Sequence, residues 1–134
     1  MSTRSESAKA AAIAQIGALA KECSEPDWDG ENARPLDRLA ALSATNFIRA
    51  LPDGIALPEL APEPDGSISL DWIQSRNRLF TLSIGANNRL GYAWLDGTDK
   101  GHAVVRFDGE HVPLRILEEI RGITNPGNAA LGPG

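Results

Sequence analysis

The sequence predicts an α+β domain with two N-terminal helices, a four-stranded antiparallel β-meander and one C-terminal helix. Two observations lead to this prediction. Apolar and polar residues alternate from Ser67 to Phe107, which is typical of strands, and short turns with Gly or Asn favour antiparallel neighbours. On either side, apolar residues recur every three or four positions, which indicates amphipathic helices. We expect one domain over residues 1–124 and a disordered, Gly- and Pro-rich tail over residues 125–134.

The first predicted helix runs from Ser7 to Cys23, because this segment is rich in alanine, the residue with the highest helix propensity. Its apolar stripe consists of four residues at helical spacing: Ile13, Ile16, Ala20 and Cys23. The stripe is narrow, so we expect this helix to lie on the surface of the core. Pro26 ends it, because proline cannot continue the hydrogen-bonding pattern of a helix.

The second predicted helix runs from about Pro35, a residue type that suits a first helical position, to Leu51. The segment from Ile55 to Pro64 then forms a connector. Its prolines favour an extended path and exclude a central strand. The third helix is predicted from Val112 to about Arg121, with its apolar residues on one side.

Alternation divides the side chains of the four predicted strands between two faces of the sheet. The first face carries larger apolar residues and is expected to form the core: Ile68, Leu70, Trp72, Phe80, Leu82, Ile84, Leu90, Tyr92, Trp94, Ala103, Val105 and Phe107. The second face mixes polar with apolar residues: Ser67, Ser69, Asp71, Ile73, Leu79, Thr81, Ser83, Ala93, Leu95, His102, Val104 and Arg106. It is too apolar to face only water, so either the C-terminal helix crosses it or a partner covers it.

The net charge of −5 is unevenly distributed along the chain. Glu22 to Asp65 holds ten acids and three arginines, giving −7, whereas Gly66 to Phe107 holds five bases and three acids, giving +2. The acidic half is explained either by solvated loops or by a surface for a basic protein partner. Direct binding of nucleic acid is not expected, because it relies on Lys and Arg. A membrane span is not expected either, since no apolar run approaches about 20 residues.

Cys23 is the single cysteine, which excludes an internal disulfide and a cysteine metal cluster. The start of the chain lacks the basic and apolar regions of a secretion signal, so we expect a cytoplasmic protein. Cys23 is also a poor candidate nucleophile. It lies near a helix C-terminus beside Glu22 and Glu25, and both influences raise the pKa of a thiol.

The sequence predicts no catalytic site, no cofactor and no metal site. His102 falls on the polar side of the fourth predicted strand, where a solvated histidine is expected. Asp108, Glu110 and His111 come closest to a metal-ligand set, but three adjacent ligands in one turn are a weak pattern. Neither a phosphate loop, a dinucleotide fingerprint nor a nucleophile elbow occurs. These observations favour a non-enzymatic protein without excluding an enzyme.

The most distinctive irregular segment runs from Trp28 to Pro35. One interpretation makes Trp28 an anchor that packs into the core while Asp29 and Gly30 turn the chain. The other makes Trp28, Asp29 and Arg34 a contact surface, because Trp and Arg are favoured at binding hot spots. For the second face, the candidate partner-binding residues are four apolar residues that interrupt its polar pattern: Ile73, Leu79, Leu95 and Val104.

Two short motifs carry a resemblance. Trp28-Asp29-Gly30 precedes the second helix, and Pro64-Asp65-Gly66 leads into a strand that ends in Trp72. Over roughly Asp27 to Phe107, the chain resembles a family of small uncharacterised bacterial proteins that share these motifs. This resemblance implies an accessory protein of a plasmid, phage, defence or toxin–antitoxin locus. The chain has Glu31-Asn32 where the resemblance leads us to expect an aromatic residue followed by glycine.

Two functional hypotheses follow from the sequence. The first is a non-enzymatic protein-interaction module, similar to an antitoxin, immunity protein or inhibitor, that binds another protein or forms a homodimer through the second face. The second is a small ligand-binding protein or hydrolase with a pocket between Trp28, the connector and the sheet. The missing catalytic cluster, the acidic half and the partly apolar second face favour the first hypothesis.

Overall fold

The computed structural model describes residues 3–124 and confirms an α+β fold with an antiparallel sheet. Its helices are α1 (Thr3–Glu22), α2 (Arg38–Ala50) and α3 (Leu114–Thr124). Its strands are β1 (Glu59–Pro62), β2 (Ile68–Ser75), β3 (Arg78–Ile84), β4 (Arg89–Asp96) and β5 (Asp99–Arg106). The tail predicted over residues 125–134 lies outside the described residues.

The sheet has five strands in the order β1-β2-β3-β4-β5, so the prediction of four strands was wrong. The additional strand, β1, lies in the proline-rich connector and pairs antiparallel with β2, with Leu60 opposite Leu70. It is short and lies at the edge of the sheet. An edge strand pairs on one side only, so it can accommodate Pro62, which has no backbone N–H to donate. The expectation that the connector is extended and not central agrees with this position.

The core lies between the first face of the sheet and the three helices. Fully buried side chains of β2, β3 and β4 alternate as predicted and include Leu70, Phe80 and Leu90. From α2, Phe47 packs edge-on against Phe107 with ring centroids 5.7 Å apart. Burial of these residues removes apolar area from water, which is the main favourable contribution to folding.

Helix α3 packs on the first face of the sheet, which excludes the alternative that this helix covers the second face. Ile116, Ile120 and Ile123 of α3 belong to the same core as the first-face residues. Arg78, which shares the first face with Phe80, donates a hydrogen bond of 2.5 Å from Nη2 to the carbonyl of Gly122. The C-terminal helix therefore does not cross the second face.

Helix α2 begins at Arg38 rather than at Pro35, so the predicted start was three residues early. The N–H groups of Leu36 and Asp37 bond to the carbonyls of Cys23 and Gly66, both at 2.8 Å, which holds this segment outside the helix. Asp37 is the N-cap residue, and its carboxylate accepts from the N–H of Leu39 at 2.8 Å. The cap satisfies a donor that the first helical turn would leave unpaired.

The N-cap of α2 leads to a testable prediction. Asp37→Ala removes the acceptor for the N–H groups of the first turn and should lower the free energy of unfolding by about 1 kcal/mol. Asp37→Asn keeps an acceptor oxygen and should therefore lower the free energy of unfolding much less. Urea denaturation followed by circular dichroism measures both changes. Equal losses in the two variants would contradict the capping role.

Candidate interaction surface

The second face of the sheet carries one continuous apolar row. Ile73 of β2 lies opposite Leu79 of β3, and Leu79 lies opposite Leu95 of β4. We call these three residues the apolar row. Val104 shares the second face, but it pairs with Gly91 and lies further along β5. The structure therefore brings together three of the four apolar candidates predicted on this face and leaves the fourth at the edge.

This part of the surface is open to solvent. Ile73 is 53% exposed and Val104 is 63% exposed, which is high for residues of their size. A groove of about 560 Å³ runs beside the apolar row, and its lining includes Leu79, Ala93 and His102. Because all three helices pack against the first face, no helix among the described residues shields this groove.

An acidic edge, formed by Glu59, Glu63 and Asp71, borders the second face on the side of β1 and β2. Glu59 lies opposite Asp71 in the register of these two strands. Glu63 follows β1, and its Oε1 accepts from the hydroxyl of Ser83 at 2.6 Å, which places this carboxylate over the same face as β3. Three carboxylates are therefore gathered along one side of the second face.

Short hydrogen bonds fix the carboxylates of Glu63 and Asp71. The hydroxyl of Ser67 donates to Oε1 of Glu63 at 2.9 Å, and the hydroxyl of Ser69 donates to Oδ1 of Asp71 at 2.6 Å. Thr81 also donates to Asp71. Sequence reasoning did not identify Glu63 as a second-face residue, because it did not identify β1, whose alternation from Glu59 continues to Glu63.

A basic edge borders the opposite side of the second face. It consists of four exposed residues of β4 and β5: Arg89, Lys100, His102 and Arg106. They share the face because Arg89 pairs with Arg106, and because the others occupy alternate positions of β5. The second face thus has acids on one side, bases on the other and the apolar row at one end.

The loop at Trp28 has a clear structural role. The indole N–H of Trp28 donates to the carbonyl of Arg34 at 2.7 Å, and the ring packs, half-buried, against the core. The carboxylate of Asp29 accepts from the N–H groups of Glu31 at 2.7 Å and Ala33 at 3.1 Å. The three loop candidates therefore come together with one another. Because Trp28 packs against the first-face core, they do not join the apolar row.

The remaining candidates for chemistry give no composite site. Burial of Cys23, with the nearby charge of Glu22, raises the pKa of its thiol. The direction and the role of Glu22 agree with the sequence interpretation, whereas burial, the main cause, was not part of it. The imidazole Nδ1 of His111 lies 3.0 Å from Oδ2 of Asp108 in an exposed turn. Over residues 3–124, no group of three or more His, Cys, Asp or Glu side chains is arranged to hold a metal ion.

The pair of His111 and Asp108 leads to a prediction about pH. Hydrogen bonds from the backbone and imidazole of His111 lower the pKa of Asp108 to about 2, and the same carboxylate raises the pKa of His111. The pair is therefore intact between the unfolded pKa values of the two groups, about 4 and 6.5. The contact between His111 and Asp108 weakens when the pH rises through the raised pKa of His111, and also when the pH falls through the lowered pKa of Asp108.

An NMR titration of the His111 ring protons should give a midpoint above 6.5, and Asp108→Asn should lower it. Because both side chains are exposed, the effect on the free energy of unfolding should be small. A midpoint that does not change in Asp108→Asn would contradict the contact in solution.

Comparisons with known proteins add no homologue. No protein-family model matches the sequence, and neither a curated protein nor a solved structure is significantly similar to it. None of the helices within residues 3–124 is long and apolar enough to span a membrane. The fold and its second face therefore define a small α+β protein with an open, chemically polarised sheet surface.

Proposed function

We propose that this protein is a non-enzymatic protein-interaction module and that the second face of its sheet is the contact surface. In this proposal it acts by covering part of another protein, as an antitoxin, immunity protein or inhibitor does. The resemblance based on the Trp-Asp-Gly and Pro-Asp-Gly motifs supports an accessory role in a bacterial or mobile-element locus. A cytoplasmic location belongs to the same proposal.

The observation that carries the proposal is the apolar row on an uncovered face. A sheet whose first face is buried commonly exposes polar residues on the other, yet here Ile73, Leu79 and Leu95 are contiguous. Contiguous apolar surface bordered by polar residues is typical of interaction sites. The acidic edge supports a partner with a basic patch, because complementary charges raise association rates and select among partners.

The hydrogen bonding of the second face supports a binding role rather than catalysis. Activation of a serine commonly requires a base such as histidine within hydrogen-bonding distance. In the described part of the chain, the hydroxyls of Ser67 and Ser83 donate to Glu63 instead, and neither histidine bonds to a hydroxyl. These contacts hold the acidic edge in a fixed arrangement, which reduces the entropy lost on binding.

The alternative, a ligand pocket near Trp28, stays a prediction. The indole N–H, which would be the polar group of such a pocket, already bonds within the loop to Arg34. Five surface depressions found among the described residues are lined by other residues than Trp28. No observation among the described residues favours this second function.

The proposal predicts that one substitution at the centre of the apolar row abolishes partner binding. The protein is co-expressed with the products of the neighbouring genes in its native host, and complexes are isolated and titrated by calorimetry. Leu79→Glu should lower the affinity at least tenfold, because it places a charge in a desolvated contact. Leu42→Glu, at a 55% exposed leucine of α2, is the matched control and should bind normally.

Two results would contradict the proposed function. One is that no neighbouring gene product binds the wild-type protein. The other is that Leu42→Glu loses binding while Leu79→Glu retains it, which would move the contact surface to α2. Circular dichroism of both variants must show native spectra, so that loss of binding is not loss of folding.

A further inference from the structure

We propose that the second face is self-complementary and that a second copy of this chain occupies it, so that the two copies form a face-to-face dimer. The two-fold axis of this dimer lies between the sheets and runs parallel to the strands. This inference rests on the proposed function, in which the same face is the contact surface, and it names the occupant of that face in the absence of another partner.

Charge separation across the strands is the first argument. The acidic edge lies over β1 and β2, and the basic edge lies over β4 and β5. A rotation of 180° about an axis parallel to the strands places β1 of one copy over β5 of the other. Each acidic edge then faces a basic edge, and this occurs twice in the dimer because the contact is isologous.

The register makes the match specific. Glu59 lies level with Asp71, Thr81, Ala93 and His102 across the five strands. The rotation therefore sets Glu59 opposite His102 of the second copy. It also sets Glu63, beyond the end of β1, in the region of Arg106 of the second copy. An acid thus meets an imidazole at one end of the paired edges and an arginine at the other.

The apolar row fits the same arrangement. A rotation about an axis parallel to the strands keeps each residue at the same height along the strand direction. Leu79, on the central strand, then faces Leu79 of the second copy, while Ile73 faces Leu95 of the second copy. Apolar residues meet apolar residues, and the interface gains the dry centre that stable contacts have.

The other simple two-fold axis is disfavoured by the same residues. An axis perpendicular to the strands would place β1 over β1, so that the acidic edges would face each other, and likewise the basic edges. It would also move the apolar row towards Arg89 and Arg106 of the second copy. Like charges across an interface cost several kcal/mol, so the charges select the axis parallel to the strands.

The area of the face sets the expected strength. Strands about 4.8 Å apart with a rise of about 3.3 Å per residue give one strand of four residues and four strands of seven or eight residues a face of roughly 550 Å². Two copies would bury roughly 1,100 Å², just below the range for specific, stable interfaces. We therefore expect a reversible dimer whose population increases with concentration. Aligned packing near −30°, which follows from sheet twist, is compatible with this axis.

The experiment exchanges charges across the proposed contact. Glu59→Lys and His102→Glu are both at exposed positions of edge strands, so each variant should fold. In a Glu59→Lys homodimer, lysine faces the basic edge; in a His102→Glu homodimer, glutamate faces Glu59. In the mixed dimer one contact becomes Lys–Glu and the other stays Glu59 with His102. Sedimentation velocity over a concentration series measures all three samples and the wild type.

We expect the wild type to dimerise, each variant alone to dimerise at least tenfold more weakly, and the equimolar mixture to recover dimer. Leu79→Glu should remove the dimer, whereas the control Leu42→Glu should retain it. A wild type that is monomeric at every concentration would overturn the inference. So would a dimer insensitive to Leu79→Glu, or variants that fail to recover dimer when mixed, because the axis would then be wrong.

Failure of this inference can be told apart from failure of the proposed function. A monomeric wild type that binds a neighbouring gene product, with binding lost in Leu79→Glu, would overturn the dimer and leave the proposed function standing. A dimer that meets the charge-exchange test, together with no binding to any neighbouring gene product, would support the dimer and overturn the proposed function.

Discussion

Phe80→Ala is expected to lower the free energy of unfolding by about 3–5 kcal/mol, the cost of removing a large buried aromatic ring. Phe80 is fully buried on the first face of the sheet. Its ring lies between those of Trp72 and Tyr92, with centroid distances of 5.7 and 5.5 Å. The substitution leaves a cavity that two aromatic neighbours on adjacent strands cannot fill by small shifts. Urea denaturation followed by tryptophan fluorescence measures the change.

Leu79→Ala is the matched control, because Leu79 is the preceding residue of the same strand and points to the second face. It is only partly buried, so we expect a loss of about 1 kcal/mol, measured at protein concentrations low enough to keep the chain monomeric. Equal losses in Phe80→Ala and Leu79→Ala would mean that both faces are buried in the monomer, which the positions of the helices contradict.

Gly66→Ala is expected to destabilise the protein by about 2–4 kcal/mol. Gly66 has a φ of 94°, a conformation that side chains with a Cβ rarely adopt. A Cβ at this position would also lie 3.2 Å from the carbonyl oxygen of Pro35. That carbonyl cannot easily shift, because the backbone of the next two residues is fixed by hydrogen bonds to Cys23 and to Gly66 itself.

Gly54→Ala separates the cost of the backbone conformation from the cost of the contact with Pro35. Gly54 has a similar φ of 89°, but a Cβ there would have no heavy atom of another part of the chain within 4 Å. We expect a loss of about 1–2 kcal/mol from backbone conformation alone. The free energies of unfolding of the two variants, measured from denaturation curves, should therefore differ by the cost of the contact with Pro35. A loss in Gly54→Ala as large as that in Gly66→Ala would contradict the role of this contact.

The two motifs that carry the family resemblance meet in the structure. The N–H of Arg34 donates to the carbonyl of Pro64, and the N–H of Asp37 donates to the carbonyl of Gly66, both at 2.8 Å. The Trp-Asp-Gly loop and the Pro-Asp-Gly turn thus form one joint between the start of α2 and the start of β2. This gives the motifs an architectural role. A partner contact of Trp28, Asp29 and Arg34 stays a prediction.

Local patterns predicted most of the fold. Alternation assigned β2 to β5 and their buried face correctly, because the two-residue period of a strand depends only on its own sequence. The sequence patterns did not predict β1, because it has only four residues and lies within a proline-rich segment. Leu60 is recognisable as a strand residue only from its pairing with Leu70 of β2. The start of α2 was misplaced for a similar reason, since a bond from Asp37 to Gly66 decides it.

The candidate site was only partly accessible from the sequence. The alternation of side chains along each strand assigned Ile73, Leu79 and Leu95 to one face. Only the strand register places them in a single row and separates them from Val104. Likewise, Glu63 could be placed on the second face only once β1 was known, because it follows Glu59 and Ala61 on the same alternation and bonds to Ser83 of β3. Pairing between strands that are distant in sequence leaves no periodic signal, so no local pattern could have identified the row.

Local patterns in the chain were enough to predict four alternating strands, flanking helices and a second face that is too apolar to contact water alone. They could not predict that this face stays open, which follows from the packing of Ile116, Ile120 and Ile123 of α3 on the first face. Nor could they predict that acids and bases lie at opposite edges, because strand order and register place Glu59 and His102 at the two ends of one line. The side-chain period is a local property of each segment, whereas the pairing of elements minimises exposed apolar area over the whole chain.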